Sequence, residues 1–193
     1  DDPYHNVIFA DNHDLNRYFT SMQGDLNKYK MGLAYLLTTR GIPMVYYGTE
    51  ILMEGYEHSG HGFIREDFPG GWADDKVNAF KGDGLGFAQM SAKAYLQHLL
   101  QWRKTNEAII HGSIKHFIPE DGIYVYFRIH EDEKVMVVMN NNDEQVQMPA
   151  LDRFEECLQG QRSALDIVNG NRIQDMQEQL IPTKTTLILE LVN

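Results

Sequence analysis

Apolar positions in the first part of the chain alternate between short continuous runs and longer helical patterns. The run Asn6–Ala10 is almost wholly apolar, which is typical of a strand buried on both faces in a parallel sheet. Leu26–Thr39 has apolar side chains at helical spacing, and Met44–Tyr47 reads as a second buried strand. A long loop rich in glycine and aromatic residues follows, and then a second helical pattern over Phe87–Lys104. This order of elements predicts a βα-repeat protein with a parallel sheet.

The rest of the chain has the pattern of β-strands. Segments rich in β-branched and aromatic residues, separated by turn residues, predict strands at Ile114–Ile118, Tyr124–Ile129, Val135–Met139, Ala164–Val168 and Thr185–Val192. A small antiparallel β-sandwich fits these segments best. We therefore predict an α/β domain over residues 1–110 and an all-β domain over residues 111–193.

Charge and composition argue against nucleic acid and membranes as partners. The formal net charge is −11, and the resulting repulsion opposes binding to nucleic acid. No stretch of eighteen apolar residues is present, so we expect no membrane span, and no signal-peptide pattern is recognisable. The localisation stays open.

Cysteine and histidine usage argues against a metal site. Cys157 is the single cysteine, which excludes an internal disulfide, and we predict a structural role for it. The histidines outside the first loop show no metal-ligand spacing. The run Asn140–Asp143 resembles a hairpin turn more than a calcium loop. We predict neither a metal nor another cofactor.

Polar residues follow the first predicted strand, in the sequence Asp11-Asn12-His13-Asp14. The carboxyl end of a parallel sheet is where α/β enzymes and barrels carry their active sites. The alternative is that Asp11, Asn12 and Asp14 only cap a turn or a helix, a common role for these residue types. Both interpretations remain open for these four residues taken alone.

Three ordered segments resemble the alpha-amylase family of glycoside hydrolases, also called glycoside hydrolase family 13. They are Phe9–Asp14 (FADNHD), Gly41–Glu50 (GIPMVYYGTE) and Ile64–Trp72 (IREDFPGGW). The third segment is most similar to the cyclomaltodextrinase and neopullulanase branch. The resemblance implies that residues 1–110 are the last two βα units of a TIM-type (β/α)8 barrel. It also implies a small antiparallel β-sandwich domain after the barrel.

The resemblance implies roles for three residues at the cleavage subsite and beyond it. Asp14 matches the third catalytic carboxylate, which hydrogen-bonds sugar hydroxyls and favours the distorted, oxocarbenium-like transition state. His13 matches a neighbouring imidazole that binds the same sugar. Arg65 matches an arginine that binds a glucose unit away from the cleavage point.

Position 61 departs from the family pattern. Many relatives have an aspartate four residues before the arginine, whereas this chain has His61, which puts that ion pair and that subsite in doubt. The alternative for Arg65 is a structural bridge to Glu66, Asp67 or another loop acid. Arg17 is expected to be structural and to position the loop, and Glu50 is expected to be structural as well.

Aromatic residues of the long loop are candidates for stacking on sugar faces. Large loops are usually packed by their own side chains, so we expect about two in three of these rings to be local core. The rings concerned are Tyr56, Phe63, Phe68 and Trp72. We expect core positions for Tyr46 and Tyr47.

The implied activity is retaining hydrolysis of α-1,4 or α-1,6 glucosidic bonds in starch, maltodextrin, cyclodextrin or pullulan, with an α-glucan as the binding partner. Retaining glycosidases use a nucleophile and a general acid about 5 to 5.5 Å apart. In the resembled family both lie on earlier barrel strands, and neither is recognisable here. We therefore expect this chain alone to be inactive, and its unpaired strand edges to promote self-association.

Two alternatives remain. The β-rich half could be a non-catalytic glycan-binding or packing module, with residues 1–110 as a scaffold. Alternatively, the chain could belong to a relative that transfers glycosyl groups or isomerises sugars, because the sequence does not distinguish water from a sugar as the acceptor.

Overall fold

The computed structural model describes residues 2–192, which form two compact units. The first unit comprises the residues up to Leu36 together with Gly41–His98. The second comprises Leu37–Arg40 and the residues from Leu99 onward. This grouping puts residues 99–110 in the second unit, and the domain boundary at residue 110 stays a prediction. No helix within residues 2–192 is both long enough and apolar enough to span a membrane.

The first unit contains a parallel pair of strands and two long helices. Strand β1 (Val7–Phe9) pairs in parallel with β2 (Ile42–Met44), and Ile8 lies opposite Pro43. The helices are α1 (Tyr18–Ser21), α2 (Leu26–Thr38), α3 (His61–Ile64) and α4 (Phe87–Arg103), and the last residues of both α2 and α4 belong to the second unit. The predicted parallel pair and both predicted long helices are confirmed. The second strand lies two residues earlier than predicted, at Ile42 instead of Met44.

Local chemistry sets the limits of helix α2. At its start, Asp25 Oδ1 accepts hydrogen bonds from the backbone N–H groups of Asn27 at 2.9 Å and Lys28 at 3.1 Å. At its end, Gly41 has φ +112°, where a side chain would also meet the carbonyl of Asn6. The chain therefore turns directly from the helix into β2.

The prediction that both strands are buried on both faces is wrong for these residues. Val7, Phe9, Ile42 and Met44 are exposed, and only the alternate positions are partly buried. Within residues 2–192 this parallel sheet has two strands, so neither strand has neighbours on both sides. The apolar run thus predicts burial of the strand, but residues 2–192 do not cover it. Self-association through this edge stays a prediction.

The second unit is built on an antiparallel sheet of six strands. Its order is β3 (Ser113–His116), β4 (Ile123–His130), β5 (Glu133–Asn140), β10 (Thr185–Leu191), β7 (Ala164–Asp166) and β8 (Asn171–Ile173). A separate antiparallel pair joins β6 (Val146–Gln147) to β9 (Leu180–Ile181). The short helices are α5 (Glu107–Ile110) and α6 (Glu155–Leu158). All five predicted strands are confirmed, and the structure adds β6, β8 and β9.

Strand β4 is buried on both faces. Val125 and Phe127 point into a core that includes Phe154 and Leu158 from the segment around α6. Tyr126 and Arg128 alternate with them and are also buried, although a side chain on that face of a two-layer sheet often reaches solvent. Helix α5 packs against β4 and β5. The strand is thus enclosed within this unit.

Arg128 is the charged centre of this enclosed region and is 1% exposed. Its Nη1 donates to the carbonyls of Thr38 and Thr39, both at 2.9 Å. Its Nη2 donates to those of Ile109 at 2.9 Å and Gly112 at 2.8 Å. These carbonyls lie at or just after the ends of α2 and α5, where the last turns leave carbonyls without helical partners. Arg128 therefore satisfies four acceptors and complements two helix ends with one positive charge.

Candidate active-site loop

Hydrogen bonds from its own polar side chains stabilise the loop after β1. Asp11 is buried, and its carboxylate accepts hydrogen bonds from the Tyr18 backbone N–H at 2.8 Å and from Thr49 Oγ1 at 3.1 Å. Asn12 Oδ1 accepts the backbone N–H of Asp14 at 2.8 Å. The capping interpretation therefore applies to Asp11 and Asn12.

Burial raises the pKa of Asp11 above its ordinary value. The hydrogen bonds from Tyr18 and Thr49, together with the positive charge of Arg17, act in the opposite direction and offset part of this increase. Asp11 is thus a buried anchor that helps to fix the start of the loop.

Arg17 fastens the end of the same loop. Its side chain is fully buried, with the guanidinium carbon 4.4 Å from the ring centre of Tyr46 and 4.6 Å from that of Tyr47. Its Nη1 donates to the Tyr47 carbonyl, and its backbone N–H donates to the carbonyl of Gly55 at 3.0 Å. These contacts match the predicted structural role. The prediction that Tyr46 and Tyr47 are core is wrong, because Tyr46 is only partly buried and Tyr47 is exposed where they cover Arg17.

Asp14 is the centre of a group of four polar side chains, which we call the Asp14 cluster: Asp14 itself with His13, His61 and Arg65. Arg65 Nη2 donates to Asp14 Oδ1 at 2.8 Å, and His13 Nε2 lies 3.2 Å from Asp14 Oδ2. Arg65 Nε also donates to the backbone carbonyl of His13 at 2.8 Å. His61 Nδ1 lies 2.6 Å from Arg65 Nη2 and 3.6 Å from Asp14 Oδ1.

The cluster is open to solvent. The side chains of Asp14 and His13 are 55% and 63% exposed, so the carboxylate and the imidazole can both be reached by a ligand. Exposure also means that salt screens these charges and that their pairing contributes little to folding stability. Within residues 2–192, no group of three or more His, Cys, Asp or Glu side chains could hold a metal ion.

The structure brings together all three residues singled out in the sequence. Asp14, His13 and Arg65 meet although Arg65 is 51 residues from Asp14 along the chain. The bridge to a loop acid considered for Arg65 does form, and the acid is Asp14. His61 stood out in the sequence only as a departure from the family pattern. Its contact with Arg65 spans one helical turn, whereas its approach to Asp14 depends on the folded chain and could not be read from the pattern.

The prediction that most aromatic rings of the long loop are local core is wrong. Tyr56, Phe63 and Trp72 are exposed, the last to 66%, while Phe68 is partly buried and packs 4.8 Å from the Phe80 ring. Polar contacts hold the loop instead. For example, Asp75 Oδ2 accepts the backbone N–H groups of Gly70 at 2.7 Å and Trp72 at 3.1 Å.

The indole of Trp72 is held in place although it is exposed. Its Nε1 donates to Asp67 Oδ2 at 3.1 Å, and the two bonds to Asp75 fix the backbone beneath it. Sugars commonly pack on exposed aromatic faces of this kind, because one face of a pyranose ring is apolar. Trp72 is therefore the strongest aromatic candidate in the loop.

Two family models match the chain. The model described as the catalytic domain of alpha amylase matches residues 1–134, and the cyclo-malto-dextrinase C-terminal domain matches residues 114–190. Similar proteins include the cyclomaltodextrin glucanotransferase of Bacillus sp. (strain 1011), 32% identical over 138 residues. That match covers 70% of this chain and 16% of the relative. Alpha-amylase 3 of Dictyoglomus thermophilum is 31% identical over 153 residues, which cover 70% of this chain and 30% of that protein.

Solved structures agree on the fold. The alpha-amylase from Geobacillus thermoleovorans, complexed with acarbose, matches with a TM-score of 0.73 at 21% identity. The match covers 99% of this chain and 40% of that one. The gamma-CGTase from alkalophilic Bacillus clarkii matches with a TM-score of 0.67 at 22% identity and covers 99% and 27% of the two chains.

These matches confirm the predicted fold class, part of an alpha-amylase-type α/β catalytic domain followed by a β-sheet domain. The chain spans only 16% of the length of the glucanotransferase above, and the catalytic-domain model covers more than half of the chain itself. The chain belongs to the alpha-amylase family, glycoside hydrolase family 13, and has a C-terminal domain of the cyclomaltodextrinase type.

Proposed function

We propose that this chain forms the part of an α-glucan-active enzyme that carries the transition-state-stabilising carboxylate, Asp14. The observation that supports this most strongly is the Asp14 cluster, an exposed group of a carboxylate, an imidazole and a guanidinium beside the end of β1. The end of a parallel strand is where barrel enzymes of this kind act on their substrates.

The chemistry of the cluster suits a sugar. Carboxylate oxygens accept hydrogen bonds from ring hydroxyls, while an imidazole and a guanidinium can donate to them. Bonds of this kind that strengthen as the ring distorts towards the oxocarbenium-like transition state accelerate the reaction. We assign Asp14 as the stabilising carboxylate, His13 as its neighbour on the same sugar, and Arg65 as a further sugar contact.

The proposed reaction is retaining cleavage of α-1,4 or α-1,6 glucosidic bonds. Such cleavage also needs a nucleophile and a general acid about 5 to 5.5 Å apart. We infer that other strands of the whole enzyme supply both residues, so that residues 1–193 bind glucans without cleaving them.

Glycosyl transfer is a second candidate for the whole enzyme. Several similar proteins, among them those of Bacillus sp. (strain 38-2) and Geobacillus stearothermophilus, are cyclomaltodextrin glucanotransferases. Hydrolysis and transfer share the same stabilising carboxylate and differ in the acceptor that completes the reaction. The proposed role of Asp14 is the same in both.

Calorimetric titration of residues 1–193 with maltoheptaose tests whether the loop binds glucans. We expect heat of binding but no release of shorter sugars. Asp14→Asn should weaken binding about tenfold, since hydrogen bonds to charged groups contribute about 1.5–3 kcal/mol. Trp72→Ala should weaken it about fivefold, since the loss of a packed aromatic ring costs about 1 kcal/mol.

Asp74→Asn is the matched control, because Asp74 is an exposed carboxylate of the same loop region. It should bind as the unsubstituted chain does. Equal binding by all variants would favour the alternative in which the second unit is the glycan-binding module. Cleavage of maltoheptaose by the purified chain would contradict the inference that the nucleophile and the acid lie elsewhere.

A further inference from the structure

One nitrogen of Arg65 bonds two members of the Asp14 cluster. Arg65 Nη2 lies 2.8 Å from Asp14 Oδ1 and 2.6 Å from His61 Nδ1, and an Nη group has two hydrogens to donate. A guanidinium has no acceptor, so His61 Nδ1 must accept in this contact. His61 is therefore neutral in this arrangement and bears its hydrogen on Nε2.

Protonation of His61 is incompatible with this arrangement. The new proton would occupy Nδ1, leaving two cations 2.6 Å apart with no acceptor between them. The same Nδ1 lies 3.6 Å from Asp14 Oδ1, an anion that a protonated imidazole would attract. Arg65 and a protonated His61 thus compete for one carboxylate oxygen.

Among residues 2–192, Asp14 is the acidic residue whose carboxylate lies within 4 Å of a His61 ring nitrogen. The other oxygen of Asp14 lies 3.2 Å from His13 Nε2. The 3-10 helix Glu57–Ser59 packs against α3 and contributes Glu57 and His58 as its titratable groups. On the chain that follows Arg65, the nearest charged residue is Glu66. His61 and Asp14 would form an ion pair only with the imidazole protonated.

We propose that His61 is a pH-dependent positioning residue for Arg65 and Asp14. When neutral, it accepts a hydrogen bond from Arg65 and keeps the guanidinium on Asp14. When protonated, it takes the place of Arg65 on the carboxylate and releases the guanidinium. Histidine side chains as a class change charge between about pH 5 and 8, and this is the range over which the exchange is to be tested.

The consequence for sugar binding rests on the proposed function. In the neutral state three of the five N–H donors of Arg65, those on Nε and Nη2, are used on Asp14, His61 and the His13 carbonyl. In the protonated state they are free to contact a sugar hydroxyl. The substrate contact assigned to Arg65 would then depend on pH through His61.

The test follows the Arg65 Nε–H group by NMR in 15N-labelled residues 1–193, without any glucan. The signal is assigned by its loss in Arg65→Lys. Between about pH 7.5 and 5 we expect the protection of this hydrogen, corrected for intrinsic exchange, to fall at least about tenfold, since charged hydrogen bonds are being lost. His61→Gln keeps an acceptor but cannot titrate, and its protection factor should stay constant across the same range.

Two matched variants test whether the pH response of the Arg65 signal comes from His61. His58→Gln removes a histidine from the neighbouring 3-10 helix and should retain the full response. His13→Gln removes the other imidazole on Asp14 and should also retain it. The proposal would be overturned if the Arg65 signal of the unsubstituted chain did not change with pH. It would also be overturned if the pH response persisted in His61→Gln, or if it disappeared in His13→Gln alone. Because no sugar is present, these results are independent of whether the cluster binds glucans.

Discussion

Replacing Asp14 with asparagine in the whole enzyme should lower kcat on maltooligosaccharides by about a thousandfold. Asparagine has nearly the shape of aspartate but loses the negative charge, and with it the charge-assisted hydrogen bonds to sugar hydroxyls. Those bonds strengthen as positive charge develops on the sugar ring, so their loss raises the barrier more than it weakens substrate binding. KM should therefore change much less than kcat.

The matched control is Asp74→Asn, which changes the same residue type at an exposed position of the long loop. Its kcat should equal that of the unsubstituted enzyme. The measurement is the initial rate of reducing-sugar release over a range of maltoheptaose concentrations. A fall in kcat of less than about tenfold for Asp14→Asn would exclude a transition-state role, because one charged hydrogen bond alone contributes more than that.

Replacing Arg128 with leucine should reduce the free energy of unfolding of the second unit by about 3–5 kcal/mol, roughly 1 kcal/mol for each of the four lost hydrogen bonds. Leucine fills much of the space but provides no donor, so the carbonyls of Thr38, Thr39, Ile109 and Gly112 each lose a hydrogen bond. Buried acceptors without partners are costly, and the positive charge at two helix ends is lost as well. Arg128→Lys should retain part of the stability, because a lysine keeps the charge but not the planar fork.

Urea unfolding, followed by tryptophan fluorescence, measures this effect. The chain has two tryptophans, Trp72 in the first unit and Trp102 in the second, so a Trp72→Phe background reports on the second unit alone. Arg40→Leu is the control, since Arg40 is an exposed arginine in the Leu37–Arg40 segment of the same unit. Equal midpoints for the leucine variants at 40 and 128 would contradict the role assigned to Arg128.

The fold could be predicted from the sequence because its signals are local. The helices α2 and α4 follow from apolar spacing, and the hairpin of β4 and β5 follows from two β-rich segments around a short charged turn. The burial of β1 and β2 could not be predicted in the same way. An apolar strand indicates that something should cover it, but it does not indicate whether the covering residues are part of the same chain.

The residues of the candidate site could be predicted from local motifs, but the contacts between them could not. Asp14, His13 and Arg65 could be identified because short motifs resemble those of a known family. The contact between Arg65 and Asp14 joins residues 51 positions apart, with α1, α2 and β2 between them, and no local pattern encodes that distance. Arg128 was missed for a similar reason. In the sequence it occupies an ordinary strand position, and its four acceptors come from two distant segments.

A crystal structure of the whole enzyme with a non-hydrolysable maltooligosaccharide analogue tests the central assignment most directly. We predict that both oxygens of Asp14 lie within hydrogen-bond distance, about 2.5–3.0 Å, of hydroxyls on one glucose ring at the cleavage point. A sugar at the cleavage point that makes no contact with Asp14, while the carboxylate keeps only Arg65 and His13 as partners, would contradict it.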